Sequence, residues 1–161
     1  MKQKTVYLMA GIPASGKSTF IQEEMDAYEK AGQNCVWCSR DNVRFSMVGE
    51  NEEYFSKENK VFRAWINSIK TALNDDVHDV IYIDATHIDK VSRVKTLRNL
   101  NINKDYHILI CVCFNTDVKT CIERNSNREG RARVPDKVIY SMYHRFVKPT
   151  LEEGFDSIEY V

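Results

Sequence analysis

Apolar positions along this chain follow two alternating rhythms. Short apolar runs occupy 5–10, 34–38, 79–84 and 106–114, with a weaker one at 157–161. Runs of this length predict strands. Between them, apolar residues recur at helical spacing near 17–30, 56–74, 89–99, 117–126 and 136–147. The clearest pattern is 56–74, where Phe62, Trp65, Ile66, Ile69 and Leu73 share one stripe and predict a helix packed on a core. Strand–helix alternation of this kind predicts an α/β fold: a central parallel sheet of about five strands with helices on both faces. The stretches 46–54 and 125–135 lack either rhythm and predict mobile loops.

At 161 residues the chain is expected to form one domain, 1–161, with a single core. No apolar run approaches the length of a membrane span. Met1-Lys2-Gln3-Lys4 leads directly into the first run, which leaves no room for a signal peptide. The 23 basic and 23 acidic residues cancel. A broad nucleic-acid coat would be basic, so any nucleic-acid binding is expected to be local, in a groove or channel. Cys35 and Cys38 have C-x-x-C spacing, but positions three apart on a strand face opposite sides. With Cys111, Cys113 and Cys121 they read as small core thiols in a reducing cytoplasm.

The first strand changes the picture most. It runs into Gly11-Ile-Pro-Ala-Ser-Gly-Lys-Ser18, which fits G-x-x-x-x-G-K-[ST], and a helical pattern follows. Glycines let such a loop curl so that its N–H groups face inward. The next helix aims its positive end at the same point. Lys17 would reach β- and γ-phosphates, and the Ser18 hydroxyl would ligate Mg²⁺.

Three further places can direct that nucleotide site. The second strand ends in Ser39-Arg40-Asp41-Asn42-Val43-Arg44. Ligands of open α/β sheets bind beyond the carboxyl ends of strands, where a kinase needs a carboxylate to take the acceptor's proton. Asp41 fits that role, with Arg44 three residues on to hold an anionic acceptor. The same residues equally fit a helix N-cap followed by an exposed arginine. The third strand ends in Asp84, a carboxylate able to act on Mg²⁺ or its waters, with Thr86 beside the acceptor pocket and His87 at a helix entry. Finally, Arg124, Arg128, Arg131 and Arg133 crowd a short stretch with the single acid Glu129 and the terminating Pro135. Arg124 and Arg128 are four apart, on one helix face. The stretch reads as a lid that lays guanidinium on a transferring phosphate. GTPase features are missing: Asp84-Ala-Thr-His87 lacks the switch glycine, and Asn103-Lys104-Asp105 precedes a strand instead of ending one.

These segments, in this order, resemble the kinase domain of phage and bacterial polynucleotide 5′-hydroxyl kinases. The matching residues are Gly11–Thr19, Arg40-Asp41 with Arg44, Ile83-Asp84-Ala-Thr86, Arg124-Asn-Ser-Asn-Arg128, Val134-Pro135 and Ser141-Met142-Tyr143. The resemblance covers about residues 5 to 147. It implies a P-loop kinase fold that uses ATP and Mg²⁺. Gly11, Ser15, Gly16, Lys17, Ser18 and Thr19 would hold the donor phosphates. Arg128 would contact them from the lid, with Arg124 supporting the nucleotide. Asp41 would be the general base for the 5′-hydroxyl of a DNA or RNA end. Arg44 would hold the acceptor's adjacent phosphate, and Asp84 and Thr86 would face the acceptor. The lid is one residue longer than the family pattern, so Arg131 and Arg133 receive no individual role. The Asp-x-Asp-Gly-Thr motif of the 3′-phosphatase domain that some members carry is absent.

Lys90, Arg93, Lys95 and Arg98 are expected to rim a channel for the terminal nucleotides. Two alternatives stand beside the polynucleotide reading. One is a P-loop kinase acting on a nucleoside, modified base or other small-molecule hydroxyl. The other is an ATP-binding module that transfers nothing.

Overall fold

Parallel pairing joins all five apolar runs into one sheet in the computed structural model, which describes residues 1–161. The strands are β1 (Lys4–Ala10), β2 (Cys35–Ser39), β3 (Val80–Asp84), β4 (His107–Cys113) and β5 (Ser157–Tyr160), in the spatial order β2-β3-β1-β4-β5. The helices are α1 (Lys17–Lys30), α2 (Arg40–Met47), α3 (Glu58–Asn74), α4 (Lys90–Leu100), α5 (Val118–Ser126) and α6 (Asp136–Arg145). β1 sits in the middle with successive crossovers leaving on either side of it. The carboxyl ends of β1 and β3 therefore open one crevice.

Alternate residues of β1 feed two cores, which is why this strand reads as a continuous apolar run. Val6, Leu8 and Ala10 face α3, where Trp65, Ile66, Ile69 and Leu73 form the predicted stripe. Tyr7 and Met9 face α1, packing with Ile21, Tyr82 and Phe114. A third cluster, Ile12, Ala14, Ile88, Cys121 and Ile139, ties α5 and α6 beneath the loop after β1. All five cysteines are free thiols, and Cys38, Cys111, Cys113 and Cys121 are buried. No helix is long and apolar enough to cross a membrane.

Sequence patterning missed α2. Its Arg-Asp-Asn-Val-Arg-Phe-Ser-Met sequence has few apolar positions, and it forms because the Ser39 side chain accepts from the Asn42 N–H at 3.2 Å and caps it. The predicted loop 46–54 therefore begins with the last residues of a helix.

Arg93 is also corrected. It does not rim a channel: it is 0 % exposed and donates through Nε to Glu153 at 2.6 Å and through Nη1 to the carbonyls of His87 and Val147, both at 2.9 Å. It cross-links the β3–α4 turn, the chain leaving α6 and the turn before β5. Lys90, Lys95 and Arg98 are exposed on α4, and Lys95 lies over the Phe62 ring at 4.5 Å.

Candidate active site

One cavity of about 1170 Å³ opens at the crevice. It is lined by the loop after β1, the starts of α1 and α2, the end of β3 and the segment 124–135. Lys17, Ser18, Asp41, Arg44, Asp84, Thr86, Arg124 and Arg128 all line it.

The loop Gly11–Gly16 is built by its backbone. Gly16 has φ +106°, and Ala14 holds φ +64° without being glycine. A Cβ on Gly11 would lie 2.6 Å from Ser15 Oγ and 3.0 Å from Phe114 Cβ, so the position accepts no side chain. Three contacts from outside fix the curl. The Gly11 N–H donates to the Thr86 carbonyl at 2.9 Å, the Thr116 hydroxyl donates to the Ser15 carbonyl at 2.7 Å, and Arg124 lies over the Ala14 carbonyl at 3.5 Å. Thr116 carries no local motif, and sequence reading did not find it.

Lys17 donates to the carbonyls of Gly11 and Ile12 at 2.8 and 3.0 Å. Burial lowers its pKa, and the charges of Asp84 and Asp41 oppose that shift. Arg128 is near enough to press it further down. The Ser15 hydroxyl is buried in the loop and has no hydrogen-bond partner. An orphaned hydroxyl and a half-buried ammonium at the start of α1 are donors that a polyphosphate satisfies. The Ser18 hydroxyl and the Asp84 carboxylate line the same cavity and are the oxygen ligands suited to Mg²⁺.

Asp84 is buried at the end of β3. Burial raises its pKa; Lys17 and a 2.9 Å hydrogen bond from the Trp37 indole pull the other way. Trp37 belongs to neighbouring β2, whose Ser39 pairs with Asp84. The strand register therefore delivers the indole to the carboxylate.

The part of the cavity lined by α2 and the start of α3 is built from side chains. Because Ser39 caps α2, the Asp41 carboxylate is left free for other work, and its side chain is 66 % exposed. Its Oδ1 accepts from Arg44 Nη1 at 2.5 Å and from the Tyr54 hydroxyl at 3.1 Å. Arg44 is not the exposed arginine of the second alternative: it is buried and heavily engaged. Its Nε and Nη2 donate in parallel to Glu58 at 2.8 Å each, and Nη1 reaches Tyr54 at 3.3 Å as well as Asp41. Of its five N–H groups, one on Nη2 remains for an anion. Burial would raise the Glu58 pKa, but the hydrogen bonds and charge of Arg44, with Arg40 behind them, hold it below the usual carboxylate range. Glu58 lies 14 residues from Arg44 and was invisible to motif reading.

The arginine-rich segment is partly ordered. Arg124 and Arg128 do not share a helix face: α5 ends at Ser126, and Asn127 caps it. Arg128 reaches the cavity from beyond the helix end. The segment is braced by buried Asn125, which donates to the Val134 carbonyl and accepts from its N–H at 2.6 and 2.9 Å. Arg131, in a short 3-10 turn, donates to the Val48 carbonyl at 2.5 Å and lays its guanidinium 4.9 Å from the Phe45 ring centroid. The lid thus touches α2. Arg133 is exposed. His87 is not at the helix entry: Asp89 caps α4, and His87 sits buried at φ +45°. Lys90, Lys95 and Arg98 do not line the cavity.

A phosphate-binding loop at the head of a parallel sheet, faced by a carboxylate-bearing helix and an arginine lid, defines the class: a nucleotide-binding P-loop protein with a kinase-like fold. The chain belongs to the AAA domain family, whose model matches residues 6–149. Among solved structures, it is similar to a fungal RNA kinase at 11 % identity and TM-score 0.69, covering 100 % of this chain and 75 % of that one. It is also similar to a chain of the Pnkp1/Rnl/Hen1 RNA repair complex, at 18 % identity and TM-score 0.70, covering 90 % of this chain and 44 % of that one. A gluconokinase from Sinorhizobium meliloti 1021 gives 15 % identity and TM-score 0.58, covering 100 % of this chain and 83 % of that one. This chain therefore spans less than half of the RNA repair protein it matches. At these identities the likeness is one of fold.

Proposed function

We propose that this chain transfers the γ-phosphate of ATP to the 5′-hydroxyl of a DNA or RNA end. The observation that carries the proposal is the Asp41 carboxylate, whose Oδ1 is fixed by Arg44 and Tyr54 on the wall of the cavity that the Gly11–Ser18 loop also lines.

The residues divide the work. Loop N–H groups, the Ser15 hydroxyl and Lys17 hold the donor phosphates; Lys17 exchanges two carbonyl partners of its own loop for phosphate oxygens. Mg²⁺, held by Ser18 and Asp84, would neutralise charge on the β- and γ-phosphates. Asp41 accepts the proton of the 5′-hydroxyl as that oxygen bonds to the γ-phosphorus and the bond to the bridging oxygen breaks, releasing ADP. Arg128 balances the charge that develops on the transferring group, and Arg124 steadies the loop through Ala14. Arg44 chiefly orients Asp41, and its remaining Nη2 N–H faces the acceptor's next phosphate. Thr86 completes the acceptor wall.

Fold likeness to both an RNA kinase and a gluconokinase makes the acceptor the point to test. Incubation with γ-labelled ATP, Mg²⁺ and either a 5′-hydroxyl oligonucleotide or gluconate is expected to label the oligonucleotide. Label on gluconate or a free nucleoside alone would return the chain to the small-molecule kinases. Nucleotide binding without label on any acceptor would make it a non-transferring module.

A further inference from the structure

The acceptor wall holds an exposed aromatic side chain that transfer chemistry does not require. Phe55 lines the cavity yet is 56 % exposed. Its ring stands at 87° to that of Tyr54, with centroids 4.8 Å apart, and the Tyr54 hydroxyl is the group that touches Asp41. The Arg44 guanidinium covers both rings, 4.8 Å from the Tyr54 centroid and 5.2 Å from that of Phe55. Phe45 completes the wall, 6.1 Å from Tyr54, under the Arg131 guanidinium.

We infer that Phe55, backed by Tyr54, is the stacking platform for the 5′-terminal base of a single-stranded acceptor. The inference rests on the kinase reading above and names the part of the acceptor that the site grips. Leaving an aromatic face in water forgoes its burial, so an exposed ring inside a functional cavity points to a partner with a flat apolar face. A nucleobase has one, whereas an open-chain sugar acid such as gluconate carries hydroxyls along its length and has no flat face to lay on Phe55. Charge agrees. The chain is neutral as a whole, but the cavity lining carries seven basic side chains against four acidic ones, which suits polyanions. Size agrees as well. At about 1170 Å³ the cavity exceeds the roughly 300–1,000 Å³ typical of a site for one drug-sized ligand, leaving space for a donor and an acceptor nucleotide together. Aromatic rings interleaved with arginines are the surface on which unpaired bases stack without regard to sequence.

The test compares two 5′-hydroxyl oligonucleotides that differ only in whether the terminal residue bears a base or is abasic. The wild-type chain is expected to show a KM roughly tenfold lower for the base-bearing acceptor, with similar kcat. Phe55→Ala and Phe55→Leu should bring the two KM values together, and Phe55→Trp should keep them apart. Because the ring is exposed, melting temperatures should match the wild type and so separate stacking from folding. Equal KM values for the two acceptors in the wild type, or a ratio untouched by Phe55→Ala, would overturn the platform while leaving the kinase reading intact, since both oligonucleotides are still phosphorylated. Absence of transfer to either, with the label on a small molecule, would overturn both.

Discussion

The two halves of the cavity are made by different means. The donor half is a backbone object: the curled loop Gly11–Ser18, with glycine at 11 because a side chain would clash there and at 16 because the backbone turns through positive φ. The acceptor half is a side-chain object. Asp41 is oriented by Arg44, Arg44 is clamped by Glu58, and Tyr54 closes the set, all from a segment that runs from the start of α2 to the start of α3. A backbone site constrains contiguous residues by type, so it shows as a motif. A side-chain site constrains only where the tips of side chains meet, and many sequences satisfy that.

The sharpest break between the halves is Asp41→Asn. It should lower kcat by at least about a hundredfold while nucleotide affinity, measured by titration calorimetry, stays within about twofold. A rate loss below tenfold would remove Asp41 from the chemistry.

Acid should act next, through His87 beneath the donor half. The ring donates from Nδ1 to the Met9 carbonyl at 2.8 Å and its Nε2 lies 3.0 Å from the Thr96 hydroxyl; the Met9 bond favours the charged ring, but complete burial outweighs it and keeps the ring neutral. Burial lowers its pKa from 6.5 to about 4. Between those values the unfolded chain binds a proton that the folded chain refuses, so stability falls as pH drops below 6.5 and goes on falling to about 4. From pH 7 to pH 5 this contributes about 2 kcal/mol of lost stability. Denaturant unfolding of wild type and His87→Gln at both pH values should show that extra acid sensitivity only in the wild type.

Gly11→Ala strikes the donor half alone. Its added methyl meets Ser15 and Phe114, and nucleotide affinity should fall by roughly tenfold. Base-bearing and abasic acceptors should still differ in KM. Glu58→Gln strikes the acceptor half alone. It removes the charge from a bidentate pair whose Glu58 side chain is 28 % exposed, so the stability cost should be about 1 kcal/mol. The acceptor KM should change several-fold as Arg44 is released, with the KM for ATP unmoved. Smallest is Arg131→Ala, which breaks the contacts to Val48 and Phe45. Hydrogen exchange in 127–135 should quicken, and turnover should change no more than a few-fold.

The fold was largely legible. Strand and helix bounds agree within a residue or two because β1 and β3 are buried on both faces and α3 has a broad apolar stripe. What escaped was α2, held by a cap and by the Arg44 clamp instead of by hydrophobic rhythm. Arg93 was misplaced because an arginine paired inside a fold has the same letter as one in water. Its partner, Glu153, lies 60 residues away. Trp37 and Thr116 were missed for the same reason: each serves the site across a strand pairing or a loop contact that only folding creates.

That buried arginine bears on mechanics. Its bond to Val147, together with the 2.8 Å hydrogen bond from the Val147 N–H to the Ile88 carbonyl, pins the chain leaving α6 to the turn between β3 and α4. The other end of α6 begins at Pro135, where the lid ends. α6 is thus anchored twice, by this bond network beyond its carboxyl end and through buried Ile139 to the cluster beneath the loop after β1. Arg93 and Glu153, which do not line the cavity, therefore help set where α6 and the segment leading into it stand, at a distance from the loop itself.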